Sequence, residues 1–77
     1  MNILLIGASS AIATAVARRY AAHQSSLFLI ARDGSRLAPQ KEDLKIRGAA
    51  RVGTHELDLL INEEHEAAIN AAIKFFH

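Results

Sequence analysis

The chain has 77 residues, of which 51% are apolar, with nine Lys plus Arg, eight Asp plus Glu and no cysteine. That length allows one domain whose core contributes about 3–5 kcal/mol unless something staples it; without cysteine there is no disulfide or thiolate metal site, and His23, His55, His65 and His77 lack zinc-ligand spacing. Nearly balanced charge, spread along the sequence, argues against a nucleic-acid-binding face, and the longest apolar run, residues 3–8, is far too short to span a bilayer.

No basic segment precedes that run, as a signal peptide would need, so cytoplasmic residence is expected. Ile3-Leu4-Leu5-Ile6 shows no polar alternation, the pattern of a central strand covered on both faces. Over residues 11–23, Ile12, Val16 and Tyr20 recur every four positions, and Arg18 and Arg19 stand where cations suit a helix end, which predicts a helix packed through those three residues.

Leu27 to Ala31 reads as a second strand, followed by the turn residues Arg32-Asp33-Gly34 with Ser35 as an N-cap. A second helix runs toward Arg47 through Leu37 and Leu44, holds Pro39 near its first turn and stops at Gly48. Residues 50–57, of mixed polarity, suit an edge strand that ends at Asp58. Asn62 then caps a last helix with Glu63 and Glu64 in its first turn and Ile69, Ala72, Ile73 and Phe76 on one face.

The order βαβαβα implies an α/β fold, a partial Rossmann-like parallel sheet with flanking helices, right-handed crossovers and strand order 3-2-1. Only one of the two halves of such a fold fits in residues 1–77. The expectation is therefore an amino-terminal half, truncated where a fourth strand should begin, with strand one left beside an empty slot that invites further strands. Self-association into a homo-oligomer is left open.

Gly7 lets the chain turn sharply off the first strand, and the first amides of the next helix then face an incoming anion with the helix dipole behind them. Ser9 and Ser10 add hydroxyls beside a position that fits a pyrophosphate. Gly7-Ala8-Ser9-Ser10-Ala11-Ile12-Ala13 resembles the Gly-x-x-x-Gly-Ile-Gly turn of the short-chain dehydrogenase/reductases, with alanine for the second and third glycines. Ala13 still suits close helix packing, whereas Ala11 puts a methyl where the backbone approaches the pyrophosphate.

The resemblance extends over most of the chain, through an Arg after the second strand, Arg32, and an Asp-hydrophobic pair after the third, Asp58-Leu59. It implies that Gly7, Ser9, Ser10, Ala11 and Ile12 hold the pyrophosphate side of a dinucleotide. Asp58 would accept from the adenine amino group and Leu59 would wall the adenine pocket. Arg32 would meet a 2′-phosphate, which favours NADP(H) over NAD(H).

The implied activity is hydride transfer between the nicotinamide and a small carbonyl or alcohol substrate. The Ser and Tyr-x-x-x-Lys pair that would perform it lie beyond residue 77, because Tyr20 is the only tyrosine and Gln24, not Lys, follows it by four. No catalytic residue is therefore assigned, and the alternative is a non-catalytic NADP(H)-binding sensor or scaffold. A nucleophile elbow at Ser9 lacks an earlier strand to supply its oxyanion donor, and His55 and His65 around Asp58 give no fixed metal-ligand spacing.

Overall fold

A computed structural model describes residues 1–8, 10–32, 34–57 and 63–76, with the backbone alone at 63 and 64. The elements are β1 (Asn2–Ile6), α1 (Ala11–Ala21), β2 (Ser26–Ala31), a 3-10 turn (Gly34–Arg36), α2 (Leu37–Ile46), β3 (Arg51–Glu56) and α3 (Glu63–Phe76). All strands are parallel, paired from Asn2↔Ser26 to Ile6↔Ile30 and from Ser26↔Arg51 to Ala31↔Glu56. Across the sheet the order is β1-β2-β3 with β2 in the middle; the expected 3-2-1 is the same order counted from the other edge.

Strand β2, Ser-Leu-Phe-Leu-Ile-Ala, explains the architecture, since its uninterrupted apolar run from Leu27 to Ala31 is buried on both faces. Leu27, Leu29 and Ala31 pack with Ala17 and Ala21 of α1 and Leu37 and Leu44 of α2. Phe28 and Ile30 point the other way and pack with Ala68 and Ala72 of α3. Two helices thus lie on one face and one on the other. Among the described residues no helix is long and apolar enough to cross a membrane.

Strand β1 stands at the sheet edge beside the empty slot that the strand order implies, but it is covered on one face instead of two: Ile3 and Leu5 pack against the α1–α2 core, while Leu4 is exposed and Ile6 is 53% exposed. The cause is that α3 lies over β2 and β3 and leaves the second face of β1 open among the described residues.

Both outer helices also turn a different face inward from the one their large side chains indicate. In α1 the buried residues are Ala17 and Ala21, with Tyr20 half-buried beside them, whereas Val16 is exposed and Ile12 is 81% exposed. In α3 the expected Ala72 and Phe76 do pack inward, joined by Ala68, Ala71 and Phe75, whereas the expected Ile69 and Ile73 remain exposed. Small residues let a helix axis approach the sheet closely, so the alanine stripes win the contact.

Helix ends show further differences. Helix α1 closes at Ala21, and Gln24 takes a left-handed φ of 61° to end it, its amide and that of Ser25 donating to Ala21 and Tyr20. Helix α2 is capped by Arg36 without a side-chain bond, so Ser35 lies within the 3-10 turn and is not the N-cap. Gly48, at φ 116°, terminates α2 as expected, with Gly48 N donating to Lys45 O and Ala49 N to Leu44 O. The expected cap Asn62 lies outside the described residues.

One ion-pair network ties α1 to α2. Asp43 accepts from Arg47 Nε at 2.9 and 3.0 Å and from Arg18 Nε at 3.2 Å. The Arg47 guanidinium, with Arg18 adding to it, holds the Asp43 carboxyl below its ordinary value despite some desolvation. A lowered folded pKa stabilises the chain above the unfolded value, and that contribution is lost as pH falls through the folded one. Asp43→Asn should therefore flatten the acid limb of a Tm-against-pH profile below about pH 4, with a small loss of Tm at neutrality; an unchanged acid limb would show that the network contributes nothing.

Candidate functional site

The carboxyl edge of the sheet is where open α/β sheets bind ligands, and backbone bonds draw three segments together there. Gly7 N and Ala8 N both donate to Ile30 O, at 2.8 and 3.0 Å, which pins the β1–α1 turn to the end of β2. Leu57 N donates to Ala31 O at 2.9 Å, which brings the end of β3 beside it. The turn is held from below by Gln40 of α2, whose Nε2 donates to the buried Ala8 carbonyl at 2.8 Å.

Gly7 has φ 73°, a conformation that side-chain-bearing residues adopt at a cost, and no atom lies within 4 Å of where its Cβ would be. The turn is therefore open toward solvent. Ser10 caps α1 with φ −70° and ψ 155°, its Oγ accepting from Ala13 N at 3.1 Å. Thr14 N and Oγ1 both donate to Ser10 O, each at 2.9 Å.

With the third amide occupied by the cap, the amides of Ala11 and Ile12 have no acceptor among the described residues. They and the Ser10 hydroxyl proton are the donors the turn presents, with the positive end of the helix dipole behind them. The exposed side chain of Ile12 leaves its backbone amide as its contribution. Arg32, just past β2, is exposed and makes no hydrogen bond or ion pair among the described residues.

The structure thus places Gly7, Ser10, Ala11 and Ile12 in one turn and Arg32 on the adjoining strand end, two residues after the carbonyl that pins that turn. Ser9, Asp33, Asp58 and Leu59 lie outside the described residues. Two supporting residues escaped sequence reasoning. Gln40 is separated from the turn by 32 positions and carries no local signal, whereas Thr14, one turn into α1, was readable as a partner for the cap carbonyl. Between α1 and α2 opens a cleft of about 320 Å³ lined by Thr14, Arg18, Arg36, Pro39, Gln40 and Asp43, and none of the expected site residues among the described residues lines it.

Tyr20 packs half-buried against the α1–α2 core and is lined up with the opposite end of the sheet. Among the described residues no group of three or more His, Asp or Glu side chains could hold a metal ion. No family model matches the chain, and no curated protein or solved structure matches it either.

Proposed function

We propose that the chain is the NADP(H)-binding part of an oxidoreductase that resembles the short-chain dehydrogenase/reductases, passing a hydride between the nicotinamide and a carbonyl or alcohol carbon. The observation that carries this reading is the placement of α3. Helices α1 and α2 cover one face while the sheet advances from β1 to β3, and α3 covers the other. Because crossovers are right-handed, a helix on the second face reverses the direction of winding and returns the chain past β2 toward the β1 edge. The crevice of a Rossmann fold lies at such a reversal, outside the carboxyl end of β1, and that is where the Gly7 turn offers its free donors.

The donor set suits the ligand. A pyrophosphate meets the Ala11 and Ile12 amides and the Ser10 hydroxyl, with no Cβ at Gly7 to hold it off. Arg32 supplies a guanidinium for a 2′-phosphate, and the resemblance assigns the adenine side to Asp58 and Leu59. The bound nicotinamide supplies the hydride; these residues bind and orient it.

A second reading, an NADP(H)-binding sensor or scaffold without chemistry, uses the same site. In its favour, Ala11 and Ala13 stand where the turn it resembles carries glycines. The two readings divide on whether the parent protein oxidises or reduces a substrate with NADP(H).

Calorimetric titration of the 77-residue chain with NADP and NAD tests the shared claim. Loss of one charge-assisted contact is worth about 1.5–3 kcal/mol, so Arg32→Ala should weaken NADP by roughly ten- to a hundredfold and leave NAD nearly unchanged. Equal weakening of both would remove the phosphate role from Arg32. Absence of binding by either dinucleotide would overturn the cofactor assignment.

A further inference from the structure

At the amino edge of the sheet, opposite the Gly7 turn, a cavity of about 410 Å³ is lined by Met1, Arg19, Tyr20, His23 and Ser25. We propose that it is a binding site for a phosphate monoester. No carboxylate lines it, and Arg19 makes no ion pair among the described residues. Ser25 is 1% exposed, yet its hydroxyl has no hydrogen-bond partner among the described residues. No sealed side-chain oxygen is left unpaired there, so this hydroxyl keeps a small accessible surface on the cavity wall.

The carboxyl end of α1 borders the site, and free carbonyls there would repel an anion. They are taken. Arg18 O accepts from Ala22 N, Tyr20 O from His23 N and Ser25 N, and Ala21 O from Gln24 N. Arg19 O accepts from His23 Nδ1 at 2.9 Å, and because a carbonyl can only accept, this bond fixes the proton on Nδ1.

The side chains that remain for a ligand are donors, the Arg19 guanidinium and the Tyr20 and Ser25 hydroxyls. Three donors of different reach suit a tetrahedral oxyanion better than a planar carboxylate. Met1 and the Tyr20 ring add apolar wall on which the carbon side of an ester can lie, which distinguishes this site from one for the free inorganic ion.

The test is a nuclear magnetic resonance titration of the intact 77-residue chain at constant ionic strength, with phenyl phosphate, inorganic phosphate and acetate as probes. Saturable shifts at the amides of Arg19, Tyr20, His23 and Ser25 are expected, with phenyl phosphate tightest and acetate weakest. Arg19→Gln, at an exposed position, should weaken phenyl phosphate about tenfold or more, and Ser25→Ala should also weaken it. Shifts confined to Gly7, Ala11, Ile12 and Arg32 would place the anion at the carboxyl edge and overturn the proposal. So would acetate binding as tightly as phenyl phosphate, or an unchanged affinity in Arg19→Gln whatever the fate of Ser25→Ala.

Discussion

Gly53→Val is expected to unfold most of the chain at room temperature. Gly53 faces Phe28 across the β2–β3 pair, and a Cβ there would stand 2.7 Å from Phe28 Cδ1 and 2.7 and 2.9 Å from two ring carbons of Phe75. Neither ring can retreat easily. Phe28 is buried and packs against Phe75 at a centroid distance of 5.3 Å and against Phe76 at 6.4 Å. Phe75 is also held from outside by Arg51, whose guanidinium lies 4.6 Å from the ring centre while Nη2 donates to the Phe75 carbonyl at 2.6 Å.

Overpacking of this kind costs typically about 1–3 kcal/mol, and a core of this size supplies only about 3–5 kcal/mol in all. Valine adds two methyls beyond the Cβ, so its cost belongs at or above the upper end. Thermal unfolding followed by circular dichroism should show Gly53→Ala with a clearly lowered Tm and Gly53→Val with little cooperative transition. A Tm within 2 °C or so of the parent for Gly53→Val would mean less than about 0.5 kcal/mol and would show that the aromatic cluster yields freely.

Gly7→Val should abolish dinucleotide binding and lower stability together, for separable reasons. The stability effect comes from the backbone alone: at φ 73° a β-branched residue is strained by roughly 1–2 kcal/mol or more, although open space surrounds the position. The binding effect comes from the side chain standing where a phosphate would approach the amides of Ala11 and Ile12. Gly7→Asn divides the two, because asparagine tolerates the left-handed conformation. It should recover most of the Tm and still bind NADP at least tenfold more weakly than the parent; full affinity in Gly7→Asn would mean that the glycine serves the turn and not the ligand.

Elements whose residues face only one environment were legible in the sequence. The run from Leu27 to Ala31 read as a strand, Leu37 and Leu44 lay seven apart among charged neighbours and do point to the core, and Gly48 ends its helix as read. The inner faces of α1 and α3 were legible only in part, because each carries two adjacent apolar stripes, one of alanines and one of large aliphatics. Hydropathy ranks Ile12 and Val16 above Ala17 and Ala21, but closeness of approach decides, as the 3.1 Å between Ala21 O and a Cβ built on Gly48 illustrates. The same choice recurs at Ala68 and Ala72 against Ile69 and Ile73.

In the site, the Gly7 turn was readable because local backbone geometry demands it, whereas Ser10 was read as a hydroxyl donor and is also the N-cap of α1, its Oγ accepting from Ala13 N. The one-sided covering of β1 depends on where α3 settles, 57 or more residues later, and the Gln40 anchor depends on how α2 docks. Both are consequences of tertiary packing that no local window contains.

The shared Ile30 carbonyl has a thermodynamic corollary. One acceptor holds the two amides that shape the anion turn, and it belongs to the last residue of β2 that pairs with β1. Under the proposed function, occupancy of the turn and pairing of β1 with β2 would share this acceptor, and linkage would make their influence mutual: whatever stiffened the β1 margin would raise affinity at the turn, and a dinucleotide there would stiffen that margin by the same factor.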